Sequence, residues 1–193
     1  MMIPATQDNI NIAKQALLNG DPIIYPTDTL YSFGAIATDS KAINKINAIK
    51  KRISPLSIIV GNNDEINIYG NLKRKYIDIV NDILPGKYTI LLKAKKHKLS
   101  RLIQNDSDLI GIRLPKHHFS LKLVNSLLTP IITTSVNIHG QTPLINLDDI
   151  KKAFPEIKIF YDKRTLDSKG STILDLSGDS ISVIRKGDAK IVK

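Results

Sequence analysis

The chain has 193 residues, 42% of them hydrophobic, enough to bury a sizeable core in one large domain. It contains no cysteine, which excludes disulfides, thiolate metal sites and a cysteine nucleophile, and fits a reducing, cytoplasmic setting. Lys and Arg outnumber Asp and Glu by 28 to 18, and a net charge of +10 favours polyanionic partners such as RNA or nucleotide phosphates. A coding bias towards Ile, Asn and Lys accounts for the same charge without such a partner.

The start, Met1 to Asp8, lacks the basic and apolar regions of a signal peptide. No apolar run approaches the roughly 20 residues that span a bilayer, so no membrane partner is expected. From there the elements follow in order. Asp8 is placed to cap a helix carrying Ile10, Ala13, Ala16 and Leu17 on one face, and Gly20 stops it. Residues 22–25 form a short buried strand ending at Pro26. A helix is predicted over 40–51, a strand over 56–60, and a helix over 73–83 that ends in the turn Leu84-Pro85-Gly86-Lys87. Strands over 88–92 and 109–114, a helix over 119–128, a strand over 130–134 and a short helix over 148–154 follow. Residues 157–160, 171–176 and 181–185 read as strands. Helices interspersed with strands predict an α/β protein: a twisted, open, mixed sheet flanked by helices, with residues 1–193 as a single domain.

Five short segments carry chemistry. Tyr25-Pro26-Thr27-Asp28-Thr29-Leu30-Tyr31-Ser32-Phe33-Gly34 follows a buried strand directly, at the end of the strand where open α/β sheets bind ligands. In extended backbone Thr27, Thr29 and Tyr31 point the same way; the alternative is an ordinary polar turn opened by Pro. Lys50-Lys51-Arg52 closes a helix, where its cations offset the helix dipole or clamp phosphate. Arg113, inside the apolar run Gly111 to Pro115, requires an anionic partner, from the protein or from a ligand. Thr133-Thr134-Ser135-Val136-Asn137 and Gly140 follow another apolar strand; small hydroxyls and an amide there approach an anion closely or cap a turn. Ser171 and Thr172 open one strand and Arg185 ends the next, so a hairpin would bring Arg185 to Ser171.

In order, the segments PTDTLYSFG, KKRISPLS, LPGKYT, GIRLP, TTSVNIHG, GSTILDL and IRKG resemble the motifs of the YrdC family, the threonylcarbamoyl-AMP synthases, over residues 8–190. The resemblance implies the YrdC-like fold and an ATP-dependent reaction. L-threonine, bicarbonate or CO2 and ATP give threonylcarbamoyl-AMP and pyrophosphate, for N6-threonylcarbamoyladenosine in tRNA. It implies Thr29 and Ser171 at the threonine, with Thr27, Tyr31 and Arg113 around its pocket. Lys50 and Arg52 would serve as catalytic phosphate contacts, joined by Arg185, and Ser135 and Asn137 would line the ATP side. ATP is the implied co-substrate, Mg²⁺ arrives with it, and no resident metal is expected. Implied partners are the proteins that transfer the threonylcarbamoyl group to tRNA. Departures from the family pattern are Ser32 for a Gly, Val136 for an Ala, and a shortened segment from Arg52 to Pro55.

The four histidines, His97, His117, His118 and His139, show no ligand spacing, and His117-His118 reads as a helix start. The basic run Lys93 to Arg101 reads as a solvated loop or an RNA contact. A non-catalytic double-stranded RNA or tRNA-binding protein is therefore the alternative function. A third reading is a carbamoyl-adenylating domain acting on another carrier.

Overall fold

The computed structural model describes residues 1–51, 55–162 and 167–191. Among them, ten strands form one mixed sheet in the order β1-β8-β2-β3-β7-β4-β6-β5-β9-β10. The strands are β1 (Met2–Pro4), β2 (Ile23–Pro26), β3 (Tyr31–Gly34), β4 (Ser57–Ile59), β5 (Tyr88–Lys93), β6 (Leu109–Arg113), β7 (Ile131–Ser135), β8 (Lys158–Tyr161), β9 (Thr172–Asp175) and β10 (Ser182–Arg185). The helices are α1 (Ile10–Leu18), α2 (Ser40–Lys50), α3 (Ile66–Tyr69), α4 (Ile77–Ile83), α5 (His118–Leu127) and α6 (Leu147–Ala153). Strand β8 runs parallel to β1 and β2, β4 to β6, and β5 to β9; the other five pairings are antiparallel.

The core has two sides because side chains alternate across a strand. On β2, Ile23 and Tyr25 pack with α1 and α5, while Ile24 packs on the opposite face with residues of α2. The same split separates Ile59 from Ile58 on β4, Ile131 from Ile132 on β7, and Phe160 from Ile159 on β8. These central strands are buried on both faces, and they read as unbroken apolar runs rather than alternating ones. Strand β10, at one edge, is exposed throughout.

The expected α/β fold with a mixed sheet is what the chain adopts, with element bounds within a few residues. Three elements have no counterpart in the sequence reading: β1, β3 and the four-residue α3. Strand β3 hid because its residues were read as part of a ligand loop. The expected Asp8 cap is corrected: residues 7–9 form a 3-10 turn, and α1 is flanked by Asn9, whose amide reaches back to Pro4 O at 2.9 Å and makes no cap. The cap on α2 is Asp39, whose carboxylate accepts from the Lys41 and Ala42 amides at 2.9 and 3.0 Å.

The basic run over 93–101 keeps its cations solvated, with Lys93, Lys95, Lys96, Lys98 and Arg101 all exposed, while its C-terminal part is anchored in the fold. Lys93 lies 3.6 Å from Asp108, and Lys95 Nζ donates to Asn67 O at 2.7 Å. Leu99 and Ser100 are buried, and Ser100 N donates to Ala37 O at 2.9 Å.

Candidate functional site

A polar hollow of about 220 Å³ opens between the two halves of the sheet. Its walls come from both ends of the chain: the turn after β2, the start of β4, β5, the end of β6, the end of β7, and the β9–β10 edge. Eight of the lining residues carry hydroxyls, namely Thr29, Ser32, Ser57, Thr89, Thr133, Thr134, Ser135 and Ser171. Among the described residues, Arg113, Lys169 and Arg185 are its cations, and no acidic residue lines it.

The turn that presents Thr29 is built by its own side chains. Strands β2 and β3 are antiparallel, with Pro26 opposite Tyr31, so residues 27–30 reverse the chain. The continuous extended segment expected there is therefore corrected, and the hydroxyls do not share one direction. Thr27 Oγ1 donates to Leu30 O at 2.7 Å and accepts the Thr29 amide at 3.2 Å, which closes the turn. Thr29 reaches the cavity. Thr27, fully buried, stands behind it with the two hydroxyls 3.2 Å apart. Tyr31 lies on the buried core side, its hydroxyl 3.5 Å from Asp162 O, and it is not on the cavity wall.

Arg113 finds its anion within the protein. Its Nη2 donates to Asp28 Oδ1 at 2.8 Å and to Thr29 Oγ1 at 3.2 Å. Asp28 Oδ2 also accepts the Lys116 amide at 2.9 Å. Both partners are buried, at 6% and 8% exposure. Burial pushes the Arg113 pKa below its ordinary value, and the Asp28 carboxylate opposes that shift. The guanidinium is still left with one unmet donor: Nε is buried and has no hydrogen-bond partner among the described residues. Asp28 is the residue that sequence reasoning missed. The signal was present, because a buried Arg demands a carboxylate, and Asp28 lies inside the motif beside Thr29.

On the opposite wall, Arg185 crosses the β9–β10 pair to Ser171. Its Nε and Nη2 donate to Ser171 O at 3.1 and 2.8 Å, and Nη2 also reaches Ser171 Oγ at 3.1 Å. Ser171 Oγ lies 2.7 Å from Thr89 Oγ1. Partial desolvation of its guanidinium, and then the charge of Arg113, lower the Arg185 pKa. The expected hairpin does bring Arg185 to Ser171.

This wall also depends on Gly187, where the backbone passes so close that a Cβ would stand 2.2 Å from Gly170 O and 2.4 Å from Ser171 C. Gly187→Ala is expected to destabilise the fold by about 1–3 kcal/mol through overpacking. Denaturant unfolding reads it, and an unchanged midpoint would contradict the packing argument.

Lys50 is not at the cavity surface. It is 2% exposed, and its Nζ donates to Ser135 O at 2.6 Å, Asn137 Oδ1 at 2.8 Å and Asn137 O at 3.0 Å. Its ammonium also sits 5.6 Å from the centre of the Phe33 ring. Ser135 Oγ donates to the same Asn137 Oδ1 at 2.7 Å, and His139 N donates to Lys50 O at 2.9 Å. The last turn of α2 thus ties down the loop after β7. Of the loop's two expected nucleotide contacts, Ser135 lines the cavity and Asn137 holds Ser135 from behind. Lys50 as a direct phosphate contact is corrected on this geometry to an anchor of that loop. Arg52 lies outside the described residues.

The structure therefore gathers Thr29, Arg113, Ser135, Ser171 and Arg185 around one hollow, with Thr27, Lys50 and Asn137 directly behind its walls. Ser32, the departure from the family glycine, also lines it. His117 caps α5, accepting the Ser120 amide, with its Nε2 3.1 Å from Asp162 Oδ2. Among the described residues no group of three or more His, Asp or Glu is placed to hold a metal. No helix among them is long and apolar enough to cross a membrane.

The Sua5_yciO_yrdC family model, described as "Telomere recombination", matches residues 15–187. The chain belongs to that family. A Methanocaldococcus jannaschii protein named "Putative threonylcarbamoyl-AMP synthase" is 35% identical over 188 residues, 95% of this chain and 88% of its own length. That likeness supports an enzyme of the same kind. The crystal structure of E. coli YciO superposes with a TM-score of 0.89 at 25% identity, over 98% of this chain and 96% of its own. P. abyssi Sua5, solved with L-threonine, has the same fold, with a TM-score of 0.88 at 24% identity over 97% of this chain. The present chain spans only 57% of that Sua5 chain.

Proposed function

We propose that this member of the family is a cytoplasmic threonylcarbamoyl-AMP synthase that supplies the threonylcarbamoyl group for tRNA. One observation carries the reading. Among the described residues, a single hollow sets three cations and no carboxylate among hydroxyls drawn from both halves of the chain. Such a lining suits a substrate with a carboxylate at one end and phosphates at the other. The volume, about 220 Å³, is below the roughly 300–1,000 Å³ of drug-sized sites, so it encloses the amino-acid end while a nucleotide extends through the mouth.

The reaction has two steps. The threonine amine takes up CO2, or bicarbonate with loss of water, and gives up a proton to form a carbamate. A carbamate oxygen then bonds to the α-phosphorus of ATP as the bond from that phosphorus to the bridging oxygen breaks, and pyrophosphate leaves with both electrons of that bond. No protein nucleophile is needed. Thr29 Oγ1 accepts from Arg113, so its own proton is directed to Thr27 or to a bound threonine. Arg113 places its positive charge on the wall beside a carboxylate or carbamate oxygen. Arg185 and Ser171 hold the opposite wall, where negative charge builds on the phosphates. With no acidic residue on the walls among the described residues, Mg²⁺ would enter on the ATP oxygens and keep its waters.

Purified protein with threonine, bicarbonate and Mg-ATP is expected to release pyrophosphate and threonylcarbamoyl-AMP, and alanine in place of threonine is expected to release neither. Equal pyrophosphate from both amino acids would sink the substrate assignment. The RNA-binding alternative has less support, since a basic surface by itself does not call for a hydroxyl-lined hollow. A steep salt dependence of RNA binding together with no ATP turnover would favour it instead.

A further inference from the structure

Beyond the residues already placed, the cavity has a cation with no assigned work. Lys169 is exposed at the cavity rim, and among the described residues its ammonium makes neither a hydrogen bond nor an ion pair. Its backbone, by contrast, is held firmly. The Lys169 amide donates to Asp188 Oδ1 at 2.8 Å, and the Asp188 amide donates to Gly170 O at 2.9 Å. Lys87 Nζ lies 3.4 Å from Asp188 Oδ2, and Gly170, at φ +86°, turns the chain into Ser171. The C-terminal segment packs beside this turn and not across the cavity: Ala189 O accepts from Thr172 Oγ1 at 2.9 Å, and Lys190 O accepts from Tyr88 OH at 2.7 Å. A lysine with a clamped backbone and an untied side chain is thereby kept at the mouth.

The carboxylates beside it are already committed. Arg113 and Arg185 share the hollow; Asp28 is held by Arg113 from behind the wall, and Asp188 by the Lys169 amide and Lys87. The described lining residues thus carry three cations and no carboxylate. In a partly enclosed site such charges are screened less than on open surface, so they draw a polyanion.

We propose that Lys169 is a further substrate-binding residue, which with Arg185 takes the polyphosphate: the β- and γ-phosphates of ATP on entry, and free pyrophosphate on departure. The proposal deepens the synthase reading and rests on it for the identity of the nucleotide. The opposed position of Asp28 and Thr29 leaves the amino-acid end to the Arg113 wall.

The experiment is calorimetric titration of wild type, Lys169→Ala, Lys169→Glu and Lys169→Arg with Mg-ATP, with Mg-pyrophosphate and with threonine, at low and at moderate salt. Lys169→Ala is expected to weaken Mg-ATP and pyrophosphate at least fivefold, Lys169→Glu more so, and Lys169→Arg less than twofold. Threonine affinity and the thermal midpoint stay at wild-type values, because the side chain supports nothing in the fold. A loss for ATP but not for pyrophosphate would confine the contact to entry and contradict the product half of the proposal. Wild-type affinity for both in Lys169→Ala, an equal loss of threonine, or a wild type that binds neither polyphosphate would overturn it. An inactive wild type that binds pyrophosphate through Lys169 would instead remove the synthase reading and leave this contact standing.

Discussion

Replacing Arg113 with methionine is expected to lower folding stability by about 3–5 kcal/mol and to remove measurable threonine binding. The reason is asymmetry. The change deletes a guanidinium, but it also strands the Asp28 carboxylate, 8% exposed, with only the Lys116 amide as a hydrogen-bond partner among the described residues. A buried, half-satisfied carboxylate is much worse than no carboxylate. The double change Asp28→Asn with Arg113→Met should therefore recover much of the stability and none of the binding, since the cavity wall still lacks the guanidinium charge and Thr29 its Nη2 donor. Denaturant unfolding and threonine titration on the same preparations separate the two effects. A single Arg113→Met variant as stable as wild type would show that the pair does not carry the turn.

The second large effect belongs to Lys50. Three of its acceptors belong to Ser135 and Asn137, and charge-assisted hydrogen bonds are worth about 1.5–3 kcal/mol each when a partner is removed. Lys50→Met is expected to cost at least about 2 kcal/mol of stability and to reduce turnover at least tenfold, the latter equal to about 1.4 kcal/mol of transition-state stabilisation. A direct phosphate contact and a loop anchor predict different signatures. Loss of a phosphate contact raises KM for ATP and leaves the melting temperature alone. Loss of an anchor lowers the melting temperature as well. Lys50→Arg tells them apart further, because a guanidinium keeps the charge but does not fit a site only 2% exposed, so it should not rescue the anchor. Full rescue by arginine with an unchanged melting temperature would restore the phosphate role.

These two residues show where reading the chain stopped short. The motif containing Lys50 was visible, but a lysine at the end of α2 serves a phosphate as plausibly as a carbonyl, and local spacing does not choose between them. The choice was made by the end of β7, more than 80 residues later, which brings Ser135 and Asn137 over the helix terminus. Thr27 and Tyr31 were set beside Thr29 on the assumption of extended backbone; the antiparallel return of β3 put one behind the wall and the other in the core. Asp28 passed unnoticed because nothing local marks a carboxylate as the partner of an Arg that is 85 residues away.

By itself the sequence determined the sheet-and-helix order, the apolar runs that became strands buried on both faces, the need of Arg113 for an anion, and seven short motifs in family order. Those are properties of period, propensity and residue chemistry, all local. Only the tertiary structure decided which hydroxyls face the hollow, that Lys50 holds a loop, and that Lys169 stands at the mouth with its ammonium unpaired among the described residues. Each of these depends on contacts between distant segments, and strand pairing, which no local pattern encodes, is what brings such segments within hydrogen-bonding distance.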